Sequence, residues 1–163
     1  MSRATAVFPV RKRKPPIAIL WGGLICGGLD ITAAFVVYGQ YGLKPIPLLQ
    51  GIAAGLLGPR AHAGGLATAL LGLVCHFLIA FGAATVYFTA SRWIAFLVQH
   101  AVVSGAAYGV AVYFFMNRIV VPLSAIGKRP FSFRLMVIGV VIHMVCVGLP
   151  IALTVRHFSV ERD

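Results

Sequence analysis

Charge is scarce in this sequence. Charged residues fill 10% of its 163 positions, and only three are acids: Asp30, Glu161 and Asp163. A soluble domain carries about a quarter, so this composition cannot cover a water-facing surface. Asp30 is the one acid inside an apolar run, which excludes hydrolysis by two opposed carboxyl groups. No Gly-x-Ser-x-Gly elbow, phosphate-binding loop or His-Glu-x2-His run occurs. An intramembrane enzyme would have to rely on His76, His143 or a lone cysteine with no motif behind any of them, so the chain reads as a non-enzyme. Metal-ligand spacings such as His-x3-His or Cys-x2-Cys are missing as well, and the sequence names no metal or cofactor. The cysteines, Cys26, Cys75 and Cys146, all fall in apolar segments, where a thiol packs as a small apolar group. No structural disulfide is expected, and the cysteines leave the redox compartment open.

Long apolar runs are what the chain has instead. Hydrophobic residues make up 60% of it, and the mean hydropathy is +0.96. About 20 consecutive apolar residues cross a bilayer. Four runs reach that length, at residues 17–38, 63–90, 93–117 and 133–155. They predict an all-α polytopic membrane protein with four transmembrane helices, occupying residues 17–155 as a single domain. The first run follows a basic flank as a signal peptide would, yet it is too long and carries Asp30, so it is expected as an uncleaved helix. Ser91 is placed to cap the start of the third helix. Between the first two runs, Pro47 suits a first helical turn and Gly58-Pro59 a stop. A helix over residues 46–58 is too short to span, which predicts a re-entrant or interfacial half-helix. Ile119-Val120-Val121-Pro122-Leu123 is expected along the membrane surface.

The net charge of +11 does not read as a nucleic-acid footprint. Arg3, Arg11, Lys12, Arg13 and Lys14 cluster in the segment 1–16, and the other basic residues lie in loops or at helix ends. Such charges attract anionic headgroups, so the lipid bilayer is the first partner. Placing segment 1–16 in the cytoplasm also puts Arg92 and the polar tail 156–163 there, with Arg156 and Arg162. That side holds eight basic residues against six opposite: Lys44, Arg60, Arg118, Lys128, Arg129 and Arg134. The first helix usually dominates orientation, so the N-terminus is expected inside.

Each long run carries a stripe of small residues at helical spacing. The stripes are Gly23, Gly27, Asp30 and Ala34; Gly65, Ala69, Gly72, His76, Ala80 and Ala83; Gly105 and Gly109; and Gly139, His143, Cys146 and Pro150. Small residues let membrane helices approach closely. Asp30, His76 and His143 lie on these stripes near the middles of three runs, and are expected to point into the bundle at similar depth. A glycine stands one turn before each of the two histidines, and Cys26-Gly27 matches Ser104-Gly105, the pattern of two parallel helical hairpins.

An ionisable group in hydrocarbon costs roughly 2.5–3.5 kcal/mol on insertion scales, so it usually faces protein or water and often works. Two readings are open. In one, Asp30, His76 and His143 form a site that binds or conducts a proton, ion or small ligand, since imidazole titrates near neutrality beside the carboxylate. In the other, they are an interior hydrogen-bond network that fixes helix register, and the chain is an accessory or structural subunit of a larger membrane complex. Metal binding by the trio with Cys146, or haem between the two histidines, has no specific spacing behind it. Cys146, Asn117 and Gln50 are secondary candidates. Arg118 is expected to snorkel to headgroups, and His62 and His157 to sit in loop and tail. Four short helices make a thin transporter, so a homo-oligomer or a membrane-protein partner is expected.

Several segments resemble a group of small, uncharacterised four-helix bacterial inner-membrane proteins. They are Gly22-Gly-Leu-Ile-Cys-Gly-Gly-Leu-Asp-Ile-Thr-Ala-Ala-Phe35, Leu49-Gln-Gly-Ile-Ala-Ala-Gly-Leu-Leu-Gly58, Tyr108-Gly-Val-Ala-Val-Tyr-Phe-Phe-Met-Asn117, Val121-Pro-Leu-Ser124 and Ile142-His-Met-Val-Cys-Val-Gly-Leu-Pro150. The likeness covers Trp21 to Phe158. It implies a bacterial cytoplasmic-membrane address and four helices. The group has no assigned activity, so the resemblance implies no chemistry; its recurrent Asp and His positions would fall on Asp30, His76 and His143.

Overall fold

The structure, a computed structural model, describes residues 15–127 and 130–159. Most of the basic N-terminal segment, Lys128, Arg129 and the charged end of the tail lie outside the described residues. Helix α1 spans Pro15–Gly39, α2 Pro45–Leu57 and α3 Gly65–Ala90. Helices α4 (Ala101–Leu123) and α5 (Phe133–Ser159) complete the set. Of these, α1, α3, α4 and α5 are long and apolar enough to cross a membrane, and no strand occurs among the described residues. The chain is an all-α, multi-pass membrane protein with one additional short helix.

Local chemistry sets the breaks. Pro45 and Pro47 occupy the first turn of α2, where a missing N–H leaves nothing unpaired. That helix stops where Gly58 takes φ +63, a left-handed value that a side chain resists. A 3-10 stretch, Gly58–Ala63, then leads to α3. Ser91 differs from its expected role: it closes α3, and its hydroxyl donates to Phe88 O at 2.7 Å. The third spanning helix also starts later than expected, because residues 93–100 hold only one turn, Phe96–Gln99, and His100 breaks it at φ −112, ψ 50. Ser132 caps α5 by accepting from Leu135 N.

Two helices carry a widened π turn, at Met116–Val120 in α4 and His143–Gly148 in α5. Each is followed two residues on by a proline, Pro122 and Pro150. Proline lacks an N–H and collides with the carbonyl four residues earlier, and a widened turn relieves both defects. The chain from Ile119 to Leu123 therefore continues α4 instead of lying on the surface.

Close packing follows the glycines. A Cβ on Gly105, Gly109 or Gly148 would strike backbone of the facing helix, so α4 and α5 meet main chain to main chain. Gly23 and Gly27 of α1 form notches for the Phe81 and Phe77 rings of α3. One half of the bundle is solid, built on Ala18, Tyr87, Ala101, Ile151 and Val155. There the Tyr87 hydroxyl meets Ser104 Oγ at 2.8 Å and Leu97 O at 2.9 Å, and Tyr108 donates to Ala83 O, joining α3 to α4. Leu66, Leu70 and Leu78 line the outer, hydrocarbon-facing side of α3.

The short helix α2 is fastened across the first turns of α3. A Cβ on Gly72 would overlap Leu49 O, and the buried Gln50 amide donates to Gly65 O at 2.9 Å. At its far end, Gly55 O accepts from Ala125 N at 2.9 Å, tying α2 to the loop after α4. Gly72→Ala should therefore lift α2 while leaving α3 helical. Amide hydrogen exchange checks this: α2 should exchange faster and α3 should not.

Candidate functional site

Helix α2 divides its faces between two jobs. Gln50, Ala53 and Ala54 are buried on α3, while Pro47, Leu48, Gly51, Ile52 and Gly55 wall a cavity of about 510 Å³. All five helices contribute to this cavity, which ends on Cys26, Ala80 and Val147 of the solid half. Asp30, His76 and His143 all line it, so the three residues singled out in separate runs are brought together.

Each member is positioned by an identifiable contact. The glycine notches of α1 admit the α3 rings and draw the helices together, so that His76 Nε2 lies 2.9 Å from Gly27 O, one turn before Asp30. A carbonyl only accepts, so the proton sits on Nε2 and that imidazole's tautomer is set by the backbone. On α5, His143 Nδ1 lies 2.9 Å from Gly139 O and donates to it. The same nitrogen stands 4.0 Å from an Asp30 carboxylate oxygen. The Tyr113 ring packs edge-on against His143 at 5.3 Å, in the space Gly139 leaves by lacking a side chain. Side chains of Asp30 and His143 retain 21% and 20% of their exposure, so both stay reachable from the cavities.

A second cavity, of about 870 Å³, is also lined by this pair. Asp30, Ala34, Tyr38, Val121 and His143 line both spaces and form the wall between them. Asn117 and Arg118 line the second cavity, beside Ser132 and Tyr113. Arg118 thus faces a cavity instead of serving only as a headgroup anchor, and the Asn117 amide donates back to Tyr113 O at 3.0 Å. The other secondary candidates stand elsewhere. Gln50 faces α3, and Cys146 borders neither cavity. The first cavity gains His62, Tyr38 and Ser124, which sequence reasoning left out; a register from Asp30 through Ala34 to Tyr38 was the available signal for Tyr38.

Among the described residues no three His, Cys, Asp or Glu side chains are grouped to hold a metal ion. The pair offers a carboxylate and an imidazole at the edge of two cavities, an arrangement able to take up a proton or pair with a cation. The cross-helix bond of His76 also has a mechanical share. His76→Leu should cost about 0.6–1.7 kcal/mol, the range measured for polar contacts between membrane helices. Reversible unfolding in mixed micelles checks it; a cost near zero would mean that Gly27 O loses nothing.

Comparison with known proteins finds no matching family model, no matching curated protein and no matching solved structure.

Proposed function

We propose that this chain is a small multi-pass protein of the bacterial inner membrane, N-terminus in the cytoplasm, which binds and transfers a proton or small cation at Asp30 and His143. One observation carries this: the pair forms the wall shared by two cavities, in a protein with no other described acid. Carboxylates inside membrane bundles mark ion and proton pathways. The solid half built on Ala18, Tyr87, Ile151 and Val155 gives no open channel, so transfer would proceed by alternating exposure of the site. His76 holds the neighbouring helix in register. The test is an imposed pH gradient across proteoliposomes holding the full chain and an entrapped pH dye. Proton uptake above that of protein-free vesicles supports the proposal, and uptake equal to theirs overturns it.

The rival, an accessory subunit with no site of its own, draws on the backbone bonds that His76 and His143 both make. Those bonds fix helices whether or not anything binds. Under that reading a second polypeptide co-purifies in fixed ratio and the isolated chain passes no protons.

A further inference from the structure

We propose that the first cavity binds a lipophilic organic monocation. This rests on the Asp30 site proposed for proton or cation transfer and names its ligand. At about 510 Å³ the cavity has the capacity of a small-molecule pocket. Its walls are largely aliphatic, with Ile31, Ile52, Ile79, Val112 and Met116 among them. Asp30 is its one acid, and neither lysine nor arginine lines it; the other ionisable groups there are Cys26, Tyr38, His62, His76 and His143.

Charge then narrows the ligand. An anion would face Asp30 with no fixed cation to offset it. A calcium-sized hard cation takes six to eight oxygen ligands, and the largely apolar walls offer it one carboxylate. The apolar substituents of an organic cation bury against the aliphatic walls while its charge pairs with the Asp30 carboxylate. The second cavity is unsuited to the same ligand, because Arg118 lines it.

Tetraphenylphosphonium and tetraphenylborate make the test, since they share one shape and differ in the sign of their charge. Calorimetric titration of the full chain in detergent should show saturable binding of the phosphonium, with the borate roughly tenfold weaker or worse. Asp30→Asn should weaken the phosphonium by a similar factor, and Ile52→Trp, which keeps the carboxylate but fills the cavity, should weaken it too. Equal binding of both ions, or unchanged binding in both variants, overturns the proposal. Should Asp30→Asn fail to fold, Ile52→Trp decides alone. Wild-type protein that passes protons into vesicles yet binds no phosphonium overturns the cation assignment and leaves the proton site standing; protein that does neither overturns both.

Discussion

Asp30→Asn is expected to bring proton uptake by proteoliposomes down to the level of protein-free vesicles while the chain stays folded. The amide keeps the size of the carboxyl group and can still contact His143, which stands 4.0 Å away. What it loses is the ability to carry charge. A charge within a bilayer is held at a cost of roughly 2.5–3.5 kcal/mol on insertion scales, so removing it should leave unfolding midpoints unchanged or raised. Loss of flux with no loss of stability is the signature of a group kept for its chemistry. The accessory-subunit reading predicts little change in Asp30→Asn, with no flux to lose. Flux that survives in Asp30→Asn at the wild-type rate would remove Asp30 from the pathway outright.

Gly109→Ala is expected to destabilise the bundle by about 1–3 kcal/mol, the usual cost of forcing an extra methyl into a packed interface. The added carbon would collide with His143 O, and Met144 Cα also lies within its reach at 2.7 Å. Neither helix can simply retreat. Gly148 of α5 already rests on Gly105 and Gly109 backbone, and α5 is held on its other side by α1 through Ile151 and Ala18 in the solid half. Because the obstructed group is the carbonyl of His143 itself, the substitution should disturb the site as well as the packing. Gly82→Ala is the control. It also lies in a helix, but a Cβ there meets nothing within 4 Å, so stability should hold or improve slightly. Equal unfolding midpoints for the two variants would show that the α4–α5 contact has more room than its backbone spacing implies.

The four crossings and the half-helix were legible because length and hydropathy alone set them, and because prolines and a left-handed glycine punctuate α2. That Asp30, His76 and His143 line one cavity agrees with their shared place on small-residue stripes, although His76 bonds to Gly27 O while Asp30 and His143 approach each other at 4.0 Å. Cys146 shows where that method fails. An unbroken 3.6-residue period carries the stripe from His143 to Cys146, but the π turn at His143–Gly148 inserts one extra residue and rotates the remainder of the helix. Val147 and Gly148 are buried instead. Ser91 was misplaced for a related reason, since the connection after α3 is a folded turn held by Tyr87, Leu97 and Ser104, and these are distant partners that local propensity does not register. His62 and Arg118 gained cavity positions only from the tertiary arrangement of α2 and α4.

The division of the bundle into a hollow half and a solid half has an electrical consequence. Voltage falls mainly across the part of a membrane protein with low dielectric constant. Where water fills the two cavities, that part is the layer built on Ala18, Tyr87, Ile151 and Val155. A charge arriving at Asp30 from the hollow side then crosses little of the field, and its binding should respond weakly to membrane potential. Moving it onward through the solid layer would carry nearly the whole drop, about 2.3 kcal/mol per charge for each 100 mV. In this geometry the membrane potential governs release far more than capture.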